Sequence, residues 1–316
     1  MLHYVIKRIL STIPVLFFIS VIIFFSVRLV PGDFATVVLG TLYTPEAAEA
    51  LRVQFGLDQP LVAQYFIWLT NLLRGDFGFS FVSRQPVIEL LQQALPVTLQ
   101  LTLMSLLFAT FIGIPLGYTA SFYRNRQADS AISTFGLLGI SIPNYWLGSM
   151  MILLFSLSLG FFPSGGFVPI SQGLGANLHS MVMPTVALGS AVSAVVMRAS
   201  RSAMTEVLDQ EYIKMARAKG VGGFRLIFAH SMRNTMINIV TVIGLQAGSL
   251  LGGSVVIERI FSLPGIGSLA LRAISSRDYL LVQGTVLWIT IMFVTINLIV
   301  DLSYSLLNPQ IKYKGG

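Results

Sequence analysis

The chain has 316 residues, of which 54% are hydrophobic and only 10% are charged. Soluble domains carry about 25% charged residues, so this composition excludes an ordinary soluble protein and indicates an integral membrane protein. The formal net charge of +7 is explained by basic loops on the cytoplasmic side of a membrane, and the basic residues do not cluster with aromatic residues as in a nucleic-acid-binding domain. The absence of cysteine excludes disulfides and thiolate metal sites.

Apolar segments long enough to cross a bilayer, about 20 residues each, recur along the chain. They predict an all-α integral membrane fold with about six transmembrane helices, at residues 9–27, 95–122, 132–159, 181–197, 235–257 and 281–301. No A-x-A site follows the first apolar segment, which favours a retained span over a signal peptide. Pro96 is expected in the first turn of the second span.

The third and fourth predicted spans come from one long uncharged run between Asp129 and Arg198. Prolines and glycines at residues 163–169 interrupt this run. Backbone broken in this way does not face lipid, so the run is predicted to form two spans joined by an outer loop.

The distribution of the 20 Lys and Arg residues predicts that both termini are cytoplasmic, because cytoplasmic loops carry an excess of positive charge. The predicted regions are an N-terminal segment with the first span (1–30), an extracytoplasmic segment with short helices (31–94), a transmembrane core (95–310) that contains a polar loop at 201–234, and a cytoplasmic tail (311–316). Within the extracytoplasmic segment, Thr44 and Pro45 predict a helix start, with Thr44 as its cap.

The polar loop between the fourth and fifth predicted spans is basic, with seven Lys and Arg residues from Arg198 to Arg233. Acidic Glu206, Asp209 and Glu211 precede the basic residues 214–219, and Gly220 follows them. This is the charge order that a helix dipole favours, with glycine at the C-terminal cap. A Gly-rich bend at 221–223 and a second short helix at 224–232 complete a cytoplasmic elbow. The elbow is typical of a docking surface, and an amphipathic helix lying on anionic lipid headgroups is the alternative.

Small residues spaced four apart predict close helix contacts, within the chain or with a partner subunit. They are Gly113 and Gly117 on the second span and Gly244, Gly248 and Gly252 on the fifth. Polar side chains near the last three, Gln246 and Ser249, are candidates for lining a polar path, as is Asn297 on the sixth span.

The sequence contains neither a phosphate-binding G-x-x-x-x-G-K-[ST] loop nor an H-E-x-x-H motif, and its three histidines lie in separate segments. We therefore expect no catalytic residues, no metal site and no cofactor in this chain. Ion-coupled carriers keep ionisable groups at mid-membrane depth, and here only Asp301 comes close to that position, which disfavours a secondary transporter.

The motifs resemble those of the permease subunits of binding-protein-dependent ABC importers, in the dipeptide, oligopeptide and nickel branch. The elbow is similar to the family's coupling loop at residues 216–220, followed by His230 and residues 233–234. The resemblance continues through residues 244–284 and covers nearly the whole chain. Two family prolines are replaced by Asn238 and Leu280, and without the first of them a kink at the start of the fifth span is not expected.

The resemblance implies the partners and the location. The partners are a second permease subunit that is a paralogue, two ATPase subunits that bind Mg-ATP and hydrolyse it, an extracytoplasmic solute-binding protein and membrane lipid, and nucleic acid is not among them. The location is the bacterial cytoplasmic (inner) membrane. The resemblance also implies an ATPase-coupling surface, formed by Ala216, Arg217, Ala218, Lys219, Gly220 and Val221, with Arg217 and Lys219 as its charged contacts.

The implied function is to form half of the translocation path for short peptides or a peptide-like solute. Three alternatives stay open at this point. They are a nickel or metal-chelate importer permease of the same family, an ion-coupled secondary transporter, and a non-transporting membrane scaffold.

Overall fold

The computed structural model describes residues 2–29, 39, 43–54, 56–80, 82–222 and 231–307. The α-helices are α1 Leu2–Arg28, α2 Pro45–Gln54, α3 Leu61–Leu73, α4 Val87–Phe122, α5 Gln127–Ser141, α6 Asn144–Met151, α7 Leu174–Leu208, α8 Glu211–Ala218, α9 Met232–Ile260, α10 Ile266–Ser275 and α11 Tyr279–Leu307. A π-helical stretch, Ile152–Ser158, continues α6, and a 3-10 turn, Ile170–Gln172, precedes α7. A short antiparallel hairpin pairs β1 Phe79–Ser80 with β2 Gln85–Pro86, with Phe79 opposite Pro86.

Five of the described helices are long and apolar enough to cross a membrane. They contain the segments Arg8–Arg28, Val87–Phe122, Leu174–Leu208, Asn234–Ile260 and Tyr279–Val300. A sixth candidate is the bent pair Gln127–Ser141 and Asn144–Ser158. The predicted all-α membrane fold with about six spans is therefore confirmed.

The third predicted span is not a continuous helix, because α5 and the helical stretch that follows it meet at 96°. Ile142 has an extended conformation, with φ −83° and ψ 121°, and Pro143 follows it. The ring of a proline disfavours the helical conformation of the preceding residue, which explains a break at this position. The apolar pattern of residues 132–159 gave no sign of the bend.

The prediction that Pro96 lies in a first helical turn is wrong, because α4 begins at Val87, directly after the hairpin. Glu89 lies in the first turn of α4, where a carboxylate is favourable to the helix dipole. The apolar pattern marked only the part of the helix suited to the hydrocarbon core.

Two other predictions about helices are met. The Thr44 cap is confirmed, since Thr44 Oγ1 accepts a hydrogen bond from the Ala47 N–H at 3.1 Å. Helix α9 runs without a break through Asn238, as expected from the missing proline.

The residues group into two compact units. One contains the described residues of 98–263 and 295–307, and the other contains those of 2–97 and 264–294. In the first unit α7 is central, since α5, α6 and α9 all pack against it. Many of its side chains are buried, among them Met181, Met183 and Met197.

The second unit is held together by aromatic and polar contacts. Tyr65 of α3 packs edge-on against Phe24 of α1, and its hydroxyl lies 2.9 Å from Ser20 Oγ. Ser80 of the hairpin donates a hydrogen bond to Asp278 Oδ2 at 2.5 Å, and Asp278 Oδ1 accepts one from the Leu281 N–H. The hairpin and the start of α11 are therefore joined through one buried carboxylate.

The first unit also contains a buried carboxylate that the sequence argument did not include. Helix α9 extends to Ile260 and so includes Glu258, which is fully buried and accepts a hydrogen bond from Thr98 Oγ1 at 2.7 Å. Besides Asp301, a spanning helix therefore carries Glu258, two residues before its end, because the fifth helix is longer than its apolar pattern. The side chain of Asp301 lies outside the described residues.

Candidate functional site

The candidate coupling site is α8, the short helix that follows α7. Of the three predicted leading acids only Glu211 lies in the first turn of α8, and it forms an ion pair with Lys214, with Nζ and Oε1 2.7 Å apart. Glu206 lies within α7 and Asp209 directly follows α7, because α7 extends to Leu208. The hydrogen bond to Glu211 raises the pKa of Lys214 above its usual value.

Helix α8 ends at Ala218, Gly220 in the turn after it has φ +78°, and the Val221 N–H donates to the Ala216 carbonyl at 3.2 Å. That bond and the left-handed glycine are the two marks of a Schellman cap.

One face of α8 is buried in a hydrophobic cluster, here called the elbow seat. Its buried members are Tyr118 of α4, Met204 and Leu208 of α7, Ile213 of α8 and Ile239 of α9. Ile213 is fully buried, and the half-buried Ala216 and Val221 pack against the same cluster. The elbow seat therefore joins α8 to three of the long helices.

The opposite face of α8 is exposed and mixes apolar with charged groups. Tyr212 and Met215 are 44% and 60% exposed, and Ala218 and Lys219 are also exposed. A solvent-exposed patch of this kind on a short helix is suited to contact another protein.

The structure thus divides the six predicted coupling residues. Ala216 and Val221 face the elbow seat, whereas Ala218, Lys219 and Gly220 are exposed. The side chain of Arg217 lies outside the described residues. So do residues 223–230, which contain part of the predicted bend, most of the predicted second short helix and His230.

Two of the basic residues counted in the predicted elbow are engaged in ion pairs. Lys214 pairs with Glu211, as described above. Arg201 binds Asp129 with two nearly parallel hydrogen bonds, from Nε to Oδ1 at 2.7 Å and from Nη2 to Oδ2 at 2.8 Å. The Asp129 side chain is only 7% exposed, so this pair connects α7 to the start of α5 instead of contributing an open charge to a docking surface.

A third ion pair, near the start of α8, is formed between Arg124 Nη1 and Asp209 Oδ2 at 2.9 Å. It connects the turn after α4 with the residue that follows α7. Both of its side chains are exposed, and exposed pairs contribute little to stability. Asn234 Nδ2 also donates to the Tyr212 hydroxyl at 2.8 Å, which connects α9 with α8.

The polar contact inside the elbow seat is between Tyr118 and Thr235. The two hydroxyl oxygens are 2.6 Å apart, and Thr235 Oγ1 also donates to the Met232 carbonyl at 2.9 Å. The Tyr118 hydroxyl also donates to Met236 Sδ at 3.9 Å. Tyr118 therefore connects α4 with α9 through two polar contacts.

Replacing Tyr118 with phenylalanine is expected to lower the free energy of unfolding by about 1 kcal/mol, the usual net value of one hydrogen bond. Thermal unfolding of the purified chain in mild detergent measures the change. Tyr123→Phe, at an exposed position in the turn after α4, is the matched control. Equal stability of the two variants would argue against a structural role for the Tyr118 hydroxyl.

Glycines bring α4 and α7 into close contact. A Cβ atom added to Gly113 would lie 2.6 Å from the Ser193 carbonyl oxygen, and one added to Gly117 would overlap the Met197 carbonyl oxygen and lie 2.6 Å from Ser200 Cβ. Gly189 on α7 is a further packing glycine, not among the predicted ones, and its Cβ position lies 2.8 Å from the Ser105 carbonyl oxygen of α4. The signal that could have identified it is the small-residue spacing from Gly189 to Ser193.

The three predicted packing glycines of α9 differ from one another. A Cβ atom at Gly244 would overlap the side chain of Val300 on α11. Gly248 is buried. No heavy atom of the described residues lies within 4 Å of the Cβ position of Gly252, which faces open space within this chain.

The polar path candidates are only partly brought together. Gln246 and Ser249 line one cavity of about 190 Å³ in the first unit, with Leu188 of α7 and with Asn144 at the start of α6. Ser249 Oγ donates to the Gln246 carbonyl at 2.8 Å. Asn297 is half-buried on α11 and is not among the described residues that line the cavity. Asn144, which was not among the predicted path residues, follows the proline break between α5 and α6.

The sequence matches two related families along most of its length. Residues 113–313 match the family described as "Binding-protein-dependent transport system inner membrane component". Residues 1–102 match the corresponding N-terminal family of the same transport systems.

Curated relatives are similar over nearly the whole chain. A putative peptide transport system permease protein of Brucella abortus (strain 2308) is 40% identical over 309 residues, which is 98% of each chain. The glutathione transport system permease protein GsiC of Escherichia coli (strain K12) is 40% identical over 314 residues, 99% of this chain and all of that one.

Solved structures share the fold at lower sequence identity. A chain of the MetNI methionine ABC transporter in an inward-facing conformation has a TM-score of 0.58 at 19% identity, and the match covers 69% of this chain and 96% of that one. A chain of an amino acid ABC transporter has a TM-score of 0.52 at 15% identity, and the match covers 69% of this chain and 94% of that one. The matched families, the full-length relatives and the arrangement of helices agree, and this chain belongs to the family of inner-membrane permease subunits of binding-protein-dependent ABC importers.

Proposed function

We propose that this permease forms half of the translocation path for short peptides or a peptide-like solute. The support comes from relatives that are 40% identical over nearly the whole chain and are named for peptide and glutathione transport. These names favour a peptide over the nickel or metal-chelate alternative. The second half of the path would be a paralogous permease, and an extracytoplasmic binding protein would deliver the solute.

Coupling to ATP hydrolysis occurs, in this proposal, through the exposed face of α8. The proposal rests on the different burial of the two faces of α8. One face packs into the elbow seat, and the other exposes Tyr212, Met215 and Lys219, which a partner could contact. A subunit that binds the exposed face would move α4, α7 and α9 together. The ATP would be bound and hydrolysed by two partner ATPase subunits on the cytoplasmic side, with both termini of this chain on the same side.

The path itself is proposed to pass the cavity lined by Gln246 and Ser249. Both residues lie on α9, and the nearby Asn144 adds an amide that can hydrogen-bond peptide groups. Asn297 on α11 remains a candidate for a separate part of the path.

Charge reversal of Arg217 and Lys219 together tests the coupling assignment. With both replaced by glutamate, we expect at least a tenfold loss of ATP-dependent peptide uptake in proteoliposomes and loss of the ATPase subunits that co-purify from native membranes. The physical reason is that like charges across an interface disfavour association by several kcal/mol. Mass spectrometry of the complex purified in mild detergent identifies the ATPases and the second permease.

The matched control is Arg272→Glu, a charge reversal at an exposed position of α10 on the predicted outer side. This variant is expected to retain the ATPase subunits. Recovery of the ATPases in equal amounts with the double variant and with the control would refute the coupling role of α8. A panel of di-, tri- and tetrapeptides, glutathione and a nickel chelate then tests the class of solute in the intact complex.

A further inference from the structure

The second unit contains a cavity that the proposed transport function does not use. Its volume is about 720 Å³, within the range of about 300–1,000 Å³ that is typical of ligand sites. The walls are mostly apolar and come from α3 and the segments on either side of it. They include Leu57, Leu61, Ile67, Trp68, Phe77 and Phe79.

One buried polar side chain in this cavity has an unused donor. Gln283 of α11 lines the cavity and is only 2% exposed. Its amide nitrogen, Nε2, is buried and has no hydrogen-bond partner among the residues that the structure describes. Buried donors are nearly always paired, and an acceptor oxygen on a ligand in this cavity would supply the partner.

A positioned cation lies at the same cavity. Arg28, the last residue of α1, donates from Nε and Nη2 to Gln64 Oε1 at 3.1 and 2.7 Å. Gln64 is 8% exposed, and its own amide donates to the carbonyls of Leu57 and Gln59 at 3.0 and 2.8 Å. The amide of Gln64 is therefore oriented to hold the guanidinium in place.

The charge of Arg28 is not balanced by a carboxylate in the described part of the chain, where no Asp or Glu oxygen lies within 4.0 Å of it. The guanidinium lies instead over the ring of Phe24, 3.9 Å from its centroid. One carboxylate, Asp76, also lines the cavity, and its Oδ1 accepts a hydrogen bond from the Gly78 N–H at 2.8 Å. A half-buried cation without an ion-pair partner favours an anionic ligand.

The position of the cavity at the ends of two candidate spans indicates that the ligand is drawn from the surrounding lipid. Arg28 ends the first candidate span and Tyr279 begins the last one, and both line the cavity. Helix α3 exposes large apolar side chains beside it, with Leu61 50% and Phe66 55% exposed. The cavity therefore lies at the boundary between hydrocarbon and headgroups on the predicted outer side, where lipid is the neighbouring medium.

We propose that this cavity binds a phospholipid with an anionic headgroup. The phosphate group accepts hydrogen bonds from the Arg28 guanidinium and the Gln283 amide, and an acyl chain lies against the apolar walls. The site is separate from the coupling helix and from the Gln246–Ser249 cavity. It requires neither of the roles proposed for them.

Native mass spectrometry of the full chain, released from mild detergent, tests this site. The probes are phosphatidylglycerol and phosphatidylcholine of identical acyl chains, added at equal concentration. We expect wild type to retain phosphatidylglycerol in preference, and Arg28→Gln to weaken its retention about tenfold, the size of effect for a charge-assisted hydrogen bond. Arg28→Lys keeps the charge and is expected to recover part of the preference.

The matched control is Arg52→Gln, an arginine of the same unit that pairs with Glu49 at 3.0 Å and does not line the cavity. This variant is expected to retain phosphatidylglycerol as wild type does. Ile67→Trp fills the apolar wall and is expected to reduce the retention of both lipids.

Three results would overturn the proposal. The first is equal retention of phosphatidylglycerol by wild type and Arg28→Gln. The second is displacement of the lipid by free glycerol phosphate at the same concentration, which would show that the headgroup binds without the chain. The third is equal retention of phosphatidylglycerol and phosphatidylcholine by wild type, which would show that the headgroup charge is not recognised.

Discussion

Replacing Gly117 with valine is expected to prevent the permease from folding stably. A Cβ atom at this position would overlap the Met197 carbonyl oxygen and would lie 2.9 Å from the Arg201 backbone nitrogen. Backbone atoms cannot rotate away as a side chain can, so α4 and α7 would have to separate. Overpacking costs about 1–3 kcal/mol and occasionally more, a large part of a total stability of about 5–15 kcal/mol.

Size-exclusion chromatography and thermal unfolding of the isolated chain in mild detergent measure this effect. Gly252→Val is the matched control, because it is the same substitution on a helix of the same unit and its Cβ position faces open space within the described chain. We expect the control to unfold like wild type and Gly117→Val to be recovered mainly as aggregate. If the two variants were equally stable, the close contact between α4 and α7 would not be needed for folding.

Replacing Ile213 with alanine is expected to separate ATP hydrolysis from transport. Ile213 is fully buried in the elbow seat, and truncation of a buried isoleucine costs about 2–5 kcal/mol because of the cavity it leaves. The exposed face of α8 keeps all its side chains, so the ATPase subunits are still expected to bind. Because α8 would then pack more loosely against α4, α7 and α9, less of the movement of the ATPase subunits would be transmitted to these three helices.

The measurement is the ratio of peptide taken up to ATP hydrolysed, in proteoliposomes that contain the complete importer. Met215→Ala provides the control, since Met215 is on the same helix and is 60% exposed. This control is expected to weaken the retention of the ATPase subunits while leaving the ratio close to that of wild type. An unchanged ratio for Ile213→Ala would contradict the proposal that the elbow seat transmits the movement.

The ion pair between Arg201 and Asp129 gives the same region a second connection. It joins the part of α7 near Met204 to the start of α5, and Asp129 is held by a further group, since the Asn125 N–H donates to its Oδ2 at 3.1 Å. Removing one partner of a buried pair is usually more destabilising than never having had the pair. The start of α5 is therefore expected to move with α7 when α8 is displaced.

The sequence by itself determined the class of the protein and the position of most spans. Hydrocarbon imposes one requirement on every spanning segment, an apolar helix of about 20 residues, and this requirement can be evaluated from local composition. The glycine cap of the helix at residues 211–218 was predictable because capping is also a local property, which depends on residues within one turn of the helix end.

Only the tertiary structure decided which distant groups meet. Arg201 pairs with Asp129, 72 positions away, Thr98 with Glu258, 160 away, and Ser80 with Asp278, 198 away. Nothing in the local pattern around any of these residues specifies its partner, since many polar groups are available along the chain. The partner is selected when helices pack and a buried polar group takes the acceptor or donor within reach. For the same reason, the sequence indicated a capped helix in the elbow, but the packing of α4, α7 and α9 decided that Ile213 is buried and Met215 is exposed.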